Sequence, residues 1–212
     1  MICIYCKHPK TYTLKDGLKK CSKCKRKFSP KKIEQHNLIR TYFIKGESAT
    51  KTAIELKMHF LTVKKRYDIF RREVALYADE QYHKNRQHIN EYDEYLYLPK
   101  TLKAFDNNLR KIQHFLTLSY KGKVYNIMMP NIEGYNYNTE DEKEKKLLSK
   151  FLRFNKAAKL KKSKNNITKF WDFFEDFILR YKGVSSEQFI YYLKEAEWRF
   201  NYTIEEKEKI LS

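Results

Sequence analysis

Two Cys-x-x-Cys pairs near the N-terminus constrain the fold of this chain more than any other feature of its sequence. The pairs are Cys3 with Cys6 and Cys21 with Cys24, and fourteen residues separate them. Two residues between thiolates let each pair supply two corners of a tetrahedral site, while the intervening segment returns as a hairpin. Asp16-Gly17, a dipeptide favoured in tight turns, marks the point of return. We therefore predict a zinc ribbon over residues 1–30, with all four cysteines bound to Zn²⁺.

A redox role or chance spacing would account for the cysteines less well than a metal site does. A thioredoxin-like redox pair accounts for one Cys-x-x-Cys but not for two, and unrelated reduced thiols leave the spacing to chance. His8 is a further potential ligand, but four thiolates already complete the site. Because so small a module has too little apolar area to fold alone, we expect the metal to be structural.

The chain is strongly basic, with 45 Lys and Arg against 26 Asp and Glu and a formal net charge of +19. Residues 1–32 hold eleven of the cations and a single acid, Asp16. Such a charge density repels itself unless it meets a polyanion, and binding to nucleic acid is favoured by counterion release. We expect double-stranded DNA as the partner. A solubilising or membrane-surface patch is the weaker alternative, and interleaved aromatic residues also suit single strands or RNA.

Helical periodicity follows the cysteines over residues 31–82. An apolar face that begins at Ile33 ends near Gly46, Ser48 can cap a second helix, and a third helix follows His59. The third helix places four apolar residues on one face: Val63, Tyr67, Phe70 and Val74. This pattern predicts a helix-turn-helix domain whose basic third helix enters the major groove, and the alternative is a helical bundle with a solvated lysine face. The residues expected to contact DNA are Lys25, Arg26, Lys27, Lys51, Thr62, Lys64, Lys65, Arg66 and Arg71.

The remainder of the chain, residues 83–212, combines strand and helix patterns. A strand is expected over residues 92–98, and residues 114–119 and 124–129 flank Gly122 as a hairpin. A charged helix is expected over residues 139–161, and aromatic residues recur at helical spacing over 170–181, with Gly183 as a stop and Ser185 as the next cap. We assign these aromatics to a core rather than to a surface that stacks on bases. The predicted fold class is therefore α+β and mostly helical.

In its order of features the chain resembles a family of bacterial insertion-sequence transposases, which have a zinc ribbon, a helix-turn-helix and a DDE catalytic domain of ribonuclease H-like fold. The resemblance is carried by residues 3–29 and 49–72, by Glu91-Tyr-Asp93-Glu94-Tyr95, and by residues 183–185 and 192–202. It implies that residues 83–212 form a shortened ribonuclease H-like domain. It also implies that Asp93 is the first catalytic acid and that the hairpin over 114–129 supplies the second and third strands.

The same resemblance implies a last acid within an Asn-x-Ile-Glu-x-x-Trp pattern, which corresponds here to residues 165–171. Thr168 stands at the glutamate position, and residues 132–165 contain no Thr-Asp-Gly-like motif for the second acid. A two-metal site needs acidic oxygens that converge on divalent cations. Asp172 and Glu175 follow Thr168 on the same helix but are displaced along its axis by roughly 5 to 10 Å. We therefore expect a transposase-derived DNA-binding protein that keeps Asp93 as a remnant of an incomplete DDE site.

Two alternatives stay open at the level of sequence. The first is an active transposase or nuclease that uses Asp93 with Mg²⁺, and the second is an RNA-binding or protein-interaction module. No apolar run approaches the roughly 20 residues of a membrane span, and cysteines and lysines occupy the N-terminus where a signal peptide needs an apolar stretch. We expect a cytoplasmic, nucleoid-associated bacterial protein that can form homo-oligomers, with no membrane partner and no small-molecule substrate.

Overall fold

The computed structural model describes residues 1–97, 112–130 and 165–212. Helices predominate over two three-stranded antiparallel sheets, so the α+β, mostly helical fold class is confirmed. The chain divides into two compact units, Met1–Ile69 and Phe70–Ser212. The charged helix expected over residues 139–161 lies outside the described residues.

Three short strands open the N-terminal unit. They are β1 (Thr11–Thr13), β2 (Lys19–Cys21) and β3 (Lys27–Phe28), paired in that order. The hairpin predicted between β1 and β2 is confirmed at Asp16-Gly17, where the Leu18 N–H donates to Asp16 Oδ1 over 3.0 Å. Gly17 takes the left-handed φ of +77° that this turn requires.

Local capping explains the first two helices. α1 (Pro30–Lys45) begins after Ser29, whose hydroxyl accepts the Lys32 N–H, and it ends at Gly46 with φ +85°. α2 (Ala49–Glu55) begins after Ser48, whose Oγ accepts the Lys51 N–H over 3.1 Å. Both predicted signals, the Gly46 stop and the Ser48 cap, are therefore confirmed.

α3 (Phe60–Asn85) follows a turn in which Lys57 has a φ of +50°, and it runs from the N-terminal unit into the C-terminal unit. Tyr67 joins α3 to the two preceding helices. Its hydroxyl donates to the Glu47 carbonyl over 3.1 Å and lies 2.8 Å from Thr52 Oγ1. Its ring meets Phe43 edge-on with the centroids 5.0 Å apart. These contacts fix which face of α3 is turned outward within this unit.

The C-terminal unit contains the second sheet, β4 (Ile89–Tyr97), β5 (Gln113–Tyr120) and β6 (Lys123–Met128), after a short 3-10 turn at Arg86–His88. The strand and the hairpin predicted here are confirmed, although β4 begins three residues earlier than expected. Three helices follow in the described residues 165–212 of this unit: α4 (Asn166–Ile178), α5 (Ser186–Asn201) and α6 (Ile204–Ile210). α4 ends before the predicted stop at Gly183, because the chain already turns at Leu179 and Arg180.

The aromatic residues of α4 and α5 form the core, as predicted, together with aromatics from β4 and β5. The buried set includes Tyr95, Tyr97, Phe115, Phe170, Trp171, Phe174, Phe177 and Phe189. α5 also covers β6 with polar side chains. The Asn201 amide pairs with both the N–H and the carbonyl of Val124, over 2.8 and 2.7 Å, and Glu197 accepts the Asn126 N–H over 2.9 Å.

Candidate metal centre and nucleic-acid interface

The four cysteines converge at one point beside the first sheet. All four Sγ atoms lie within 4.8 Å of one another, with Cys3 to Cys24 and Cys6 to Cys21 both at 3.6 Å. These distances are far longer than a disulfide bond of about 2.05 Å. They approach the roughly 3.8 Å between ligands that tetrahedral geometry gives for metal–sulfur bonds of about 2.3 Å. The four thiols can therefore hold one metal ion.

The backbone around Cys21 favours its thiolate form, whereas the Arg26 N–H acts to lower the pKa of Cys24 but burial and the other three thiols raise it to about 11. The N–H groups of Lys23 and Cys24 point at Cys21 Sγ from 3.3 and 3.5 Å. Burial acts in the opposite direction, but these N–H groups lower the pKa of Cys21 to about 6. Lys7 and Lys25, which follow the second cysteine of each pair, adopt left-handed φ values of +56° and +60°. The backbone is thus folded into a ligand loop on both sides of the site.

The first half of α3 presents an exposed surface that carries Lys64 and Lys65 together with the apolar side chains of Phe60, Leu61 and Ile69. Thr62, Lys64 and Lys65 are exposed and Arg66 is half-buried, while the apolar residues of the opposite face are buried as predicted. Lys51 on α2 is exposed but already paired, since its Nζ lies 2.9 Å from Glu47 Oε1 and 3.8 Å from Glu55 Oε1. Beside the metal site, the predicted contact residues Lys25, Arg26 and Lys27 are all exposed.

The structure corrects the prediction that Arg71 contacts DNA. Arg71 belongs to the C-terminal unit, is 3% exposed, and donates from Nε to Glu195 Oε2 over 2.6 Å. Its guanidinium also lies 4.1 Å from the centre of the Tyr192 ring. A guanidinium engaged in this way offers no open side to a phosphate. Helical periodicity could not reveal this, because both partners lie more than a hundred positions along the chain.

A cleft of about 600 Å³ lies within the N-terminal unit, beside residues 1–28, which carry the four cysteines and are called the metal-binding segment below. It is lined by Ile4, Tyr5, Leu18, Lys27, Phe28, Ser29, Lys32, Ile33, His36 and Arg66. The cleft brings together two predicted contact residues, Lys27 and Arg66, and adds Lys32 and His36, which the sequence did not single out. Among the described residues, no carboxylate belongs to this lining. Burial lowers the pKa of His36, and the charges of Arg66 and Arg40 lower it further, as expected for a site of positive potential.

Asp93 on β4 and the Asn165–Trp171 segment both adjoin Thr117 on β5. Asp93 lies directly opposite Thr117 in the β4–β5 register, and Thr117 Oγ1 accepts the Trp171 indole N–H over 2.9 Å. Thr168 is 5% exposed and donates from Oγ1 to the side chain of Asn165, which caps α4. Among residues 1–97, 112–130 and 165–212, the cysteine quartet is the one group of three or more potential metal ligands, and Asp93 is not part of it.

Asp172 and Glu175, which follow Thr168 on α4, lie in different environments. Asp172 is exposed, whereas Glu175 is buried and accepts the Tyr95 hydroxyl over 2.9 Å. Because Tyr95 belongs to the aromatic core, this hydrogen bond gives the Glu175 carboxylate a structural contact there.

Comparison of the chain with protein-family models, curated proteins and solved structures gave no match. Within the part of the chain that the structure describes, no helix combines the length and the apolar character needed to cross a membrane.

Proposed function

We propose that this chain is a zinc-dependent DNA-binding protein derived from a bacterial insertion-sequence transposase. The observation that carries the proposal is the exposed basic face of α3, which follows a capped α2 and lies in the same compact unit as a four-thiol metal site. A short helix, a tight turn and a longer basic helix are the arrangement with which helix-turn-helix proteins enter the major groove.

The proposed DNA contacts fall into two groups, one on α3 and one beside the metal site. Lys64, Lys65 and Thr62 lie on the exposed side of α3 and are assigned to the groove, with base and phosphate contacts not distinguished. Lys25, Arg26 and Lys27 extend this positive surface to the metal-binding segment and are assigned to phosphates. Arg71 is excluded from this set because it is buried. Lys51 is assigned a secondary part, since DNA must compete with Glu47 for its charge.

Zn²⁺ is the metal that this donor set fits best. Four thiolates in a closed arrangement are typical of structural zinc sites, and soft sulfur ligands disfavour Mg²⁺ and Ca²⁺. The metal would supply folding energy rather than chemistry, because all four ligand positions are taken by protein. The metal-binding segment is accordingly proposed to be a zinc ribbon.

The C-terminal unit is proposed to be a reduced ribonuclease H-like domain that acts as a scaffold. Its β4-β5-β6 meander followed by helices is compatible with that fold, and Thr168 supplies no negative charge at the position of the last acid. The competing proposal is an active DNA-cleaving enzyme. The proximity of the Asp93 strand to the Asn165–Trp171 segment favours it, but the site would need acids beyond Asp93.

The decisive experiment measures duplex affinity against salt concentration for the wild-type chain and for the double variant Lys64→Ala/Lys65→Ala. Each phosphate contact contributes about 0.9 to the slope of log K against log salt, so two lost contacts should reduce the slope by roughly 2. Lys182→Ala/Lys209→Ala, which removes two exposed cations elsewhere in the chain, is the matched control and should leave the slope unchanged. An unchanged slope in the α3 variant would contradict the assignment.

The enzyme alternative is tested separately by incubating labelled duplex with the protein and Mg²⁺. Cleavage or strand transfer that disappears in Asp93→Ala, while duplex affinity is retained, would replace the proposed scaffold role with catalysis.

A further inference from the structure

The cleft of the N-terminal unit has more apolar surface than a phosphate site needs. Its lining includes the side chains of Ile4, Tyr5, Leu18, Phe28 and Ile33, in addition to Lys27, Lys32, His36 and Arg66. Phosphate recognition by itself requires N–H donors and positive charge, not aromatic and aliphatic walls. Clefts of roughly 300 to 1,000 Å³ with apolar walls and a few polar groups are typical of sites for small organic groups. The cleft therefore fits a ligand that is partly flat and apolar and partly anionic.

Tyr5 supplies a surface for stacking. Tyr5 is 48% exposed although it lines the cleft, and its ring contacts Phe28 edge-on at 6.3 Å and the Arg26 guanidinium at 5.1 Å. Its hydroxyl also donates to the Lys27 carbonyl over 3.5 Å. An aromatic ring held in place in this way, next to several cations, is how proteins bind the bases of single-stranded nucleic acid.

The cleft and the proposed duplex-binding surface both include residues of α3. Arg66 lines the cleft, and Lys64 and Lys65 directly precede it on α3. A base within a duplex is stacked on both faces, so the nucleotide that enters must be unpaired.

We propose that the cleft binds one unpaired nucleotide of a DNA strand, with its base against Tyr5 and its phosphate near Lys27, Lys32 and Arg66. The inference rests on the proposed function and specifies its substrate as a duplex with a single-stranded extension or an extruded base. The apolar walls recognise the base and the cations recognise the phosphate, so recognition requires both parts of the nucleotide.

The test compares three DNA ligands by fluorescence anisotropy at fixed salt. They are a blunt duplex, the same duplex with a short single-stranded extension, and the same extension built from abasic sites, which keeps the phosphates and removes the bases. The base-bearing extension should bind about tenfold more tightly than the abasic one, as stacking of one base on an aromatic ring provides. Equal binding of the two extended duplexes would overturn the inference, because the cleft would then recognise phosphate alone.

Two aromatic variants assign the effect to the cleft. Tyr5→Ala should abolish most of the preference for the base-bearing extension. Tyr12→Ala removes a similarly exposed residue, 54% exposed, from β1 of the same N-terminal unit without altering the cleft lining, and should retain the preference. A preference that survives Tyr5→Ala would place the base elsewhere. The comparison of ligands with the wild-type chain needs no variant and is therefore independent of any folding defect.

The outcomes also separate this inference from the proposed function. Failure to bind the blunt duplex would count against duplex recognition by α3. Binding of the blunt duplex without any gain from the base-bearing extension would count against the cleft and leave duplex recognition intact.

Discussion

Replacement of Glu195 by glutamine should destabilise the C-terminal unit more than any exposed substitution. Glu195 is fully buried and accepts hydrogen bonds from two guanidiniums, from Arg71 Nε at 2.6 Å and from Arg199 Nε and Nη2 at 2.8 and 2.7 Å. Glu195→Gln keeps the shape but removes the negative charge that lies between the buried Arg71 guanidinium and the half-buried Arg199 guanidinium. Breaking a buried ion pair by removing one partner typically costs 3 to 5 kcal/mol, so we expect a loss of about 4 kcal/mol.

The measurement is urea unfolding followed by tryptophan fluorescence. Trp171 and Trp198 are the two tryptophans of the chain and both belong to the C-terminal unit, so the signal reports on that unit. Glu187→Gln, an exposed glutamate on the same helix, is the control and should change the free energy of unfolding by less than about 0.5 kcal/mol. A loss below about 1 kcal/mol for Glu195→Gln would refute the reasoning.

The pH dependence of this difference has a defined sign. Burial alone would raise the pKa of Glu195, but Arg199 and Arg71 hold it below its ordinary value. A carboxyl whose pKa is lowered by folding stabilises the protein fully above its unfolded pKa of about 4.3 and loses that contribution as the pH falls through the folded pKa. The gap in stability between the wild-type chain and Glu195→Gln should therefore be constant near neutral pH and close only in acid.

Three further predictions concern the metal-binding segment and the second sheet. Cys21→Ser should reduce bound zinc below one ion per chain by elemental analysis, whereas Ser22→Ala should retain it; full zinc content in the first variant would contradict the ligand assignment. Lys25→Gly relieves a left-handed φ and should raise the stability of the N-terminal unit by about 0.5 to 1 kcal/mol in thermal unfolding while weakening duplex binding, and a simultaneous gain in affinity would argue against a phosphate contact. Asn201→Asp removes the donor to the Val124 carbonyl and should cost about 1 to 3 kcal/mol in urea unfolding, with Glu208→Gln, exposed on α6, as a neutral reference.

Features set by neighbouring residues could be predicted from the sequence. Gly46 and Ser48 define helix ends through their own backbone and side chain, and the spacing of Cys21 and Cys24 determines a ligand loop. The hairpin around Gly122 could be predicted for the same reason. These signals depend on a few consecutive residues, so the remainder of the fold does not alter them.

Features set by distant residues could not be predicted. Arg71 follows the same helical periodicity as the cations before it, but Glu195 removes it from the surface, and no local pattern reports a partner so far along the chain. The cleft was missed for a similar reason. Its walls come from the metal-binding segment, α1 and α3. Lys32 and His36 therefore line a common cleft only when these elements pack together.

The polar cover that α5 places on β6 has a consequence for how this protein behaves at high concentration. The outer strand of a sheet offers its peptide groups to any extended chain and is a common starting point for aggregation. At Val124 the Asn201 amide already occupies the donor and the acceptor that an incoming strand would use, and at Asn126 Glu197 occupies the donor. A second molecule could pair there only by displacing these side chains. Protection of this sheet edge against strand pairing therefore depends on Asn201 and Glu197 of α5, which have no proposed part in binding or catalysis.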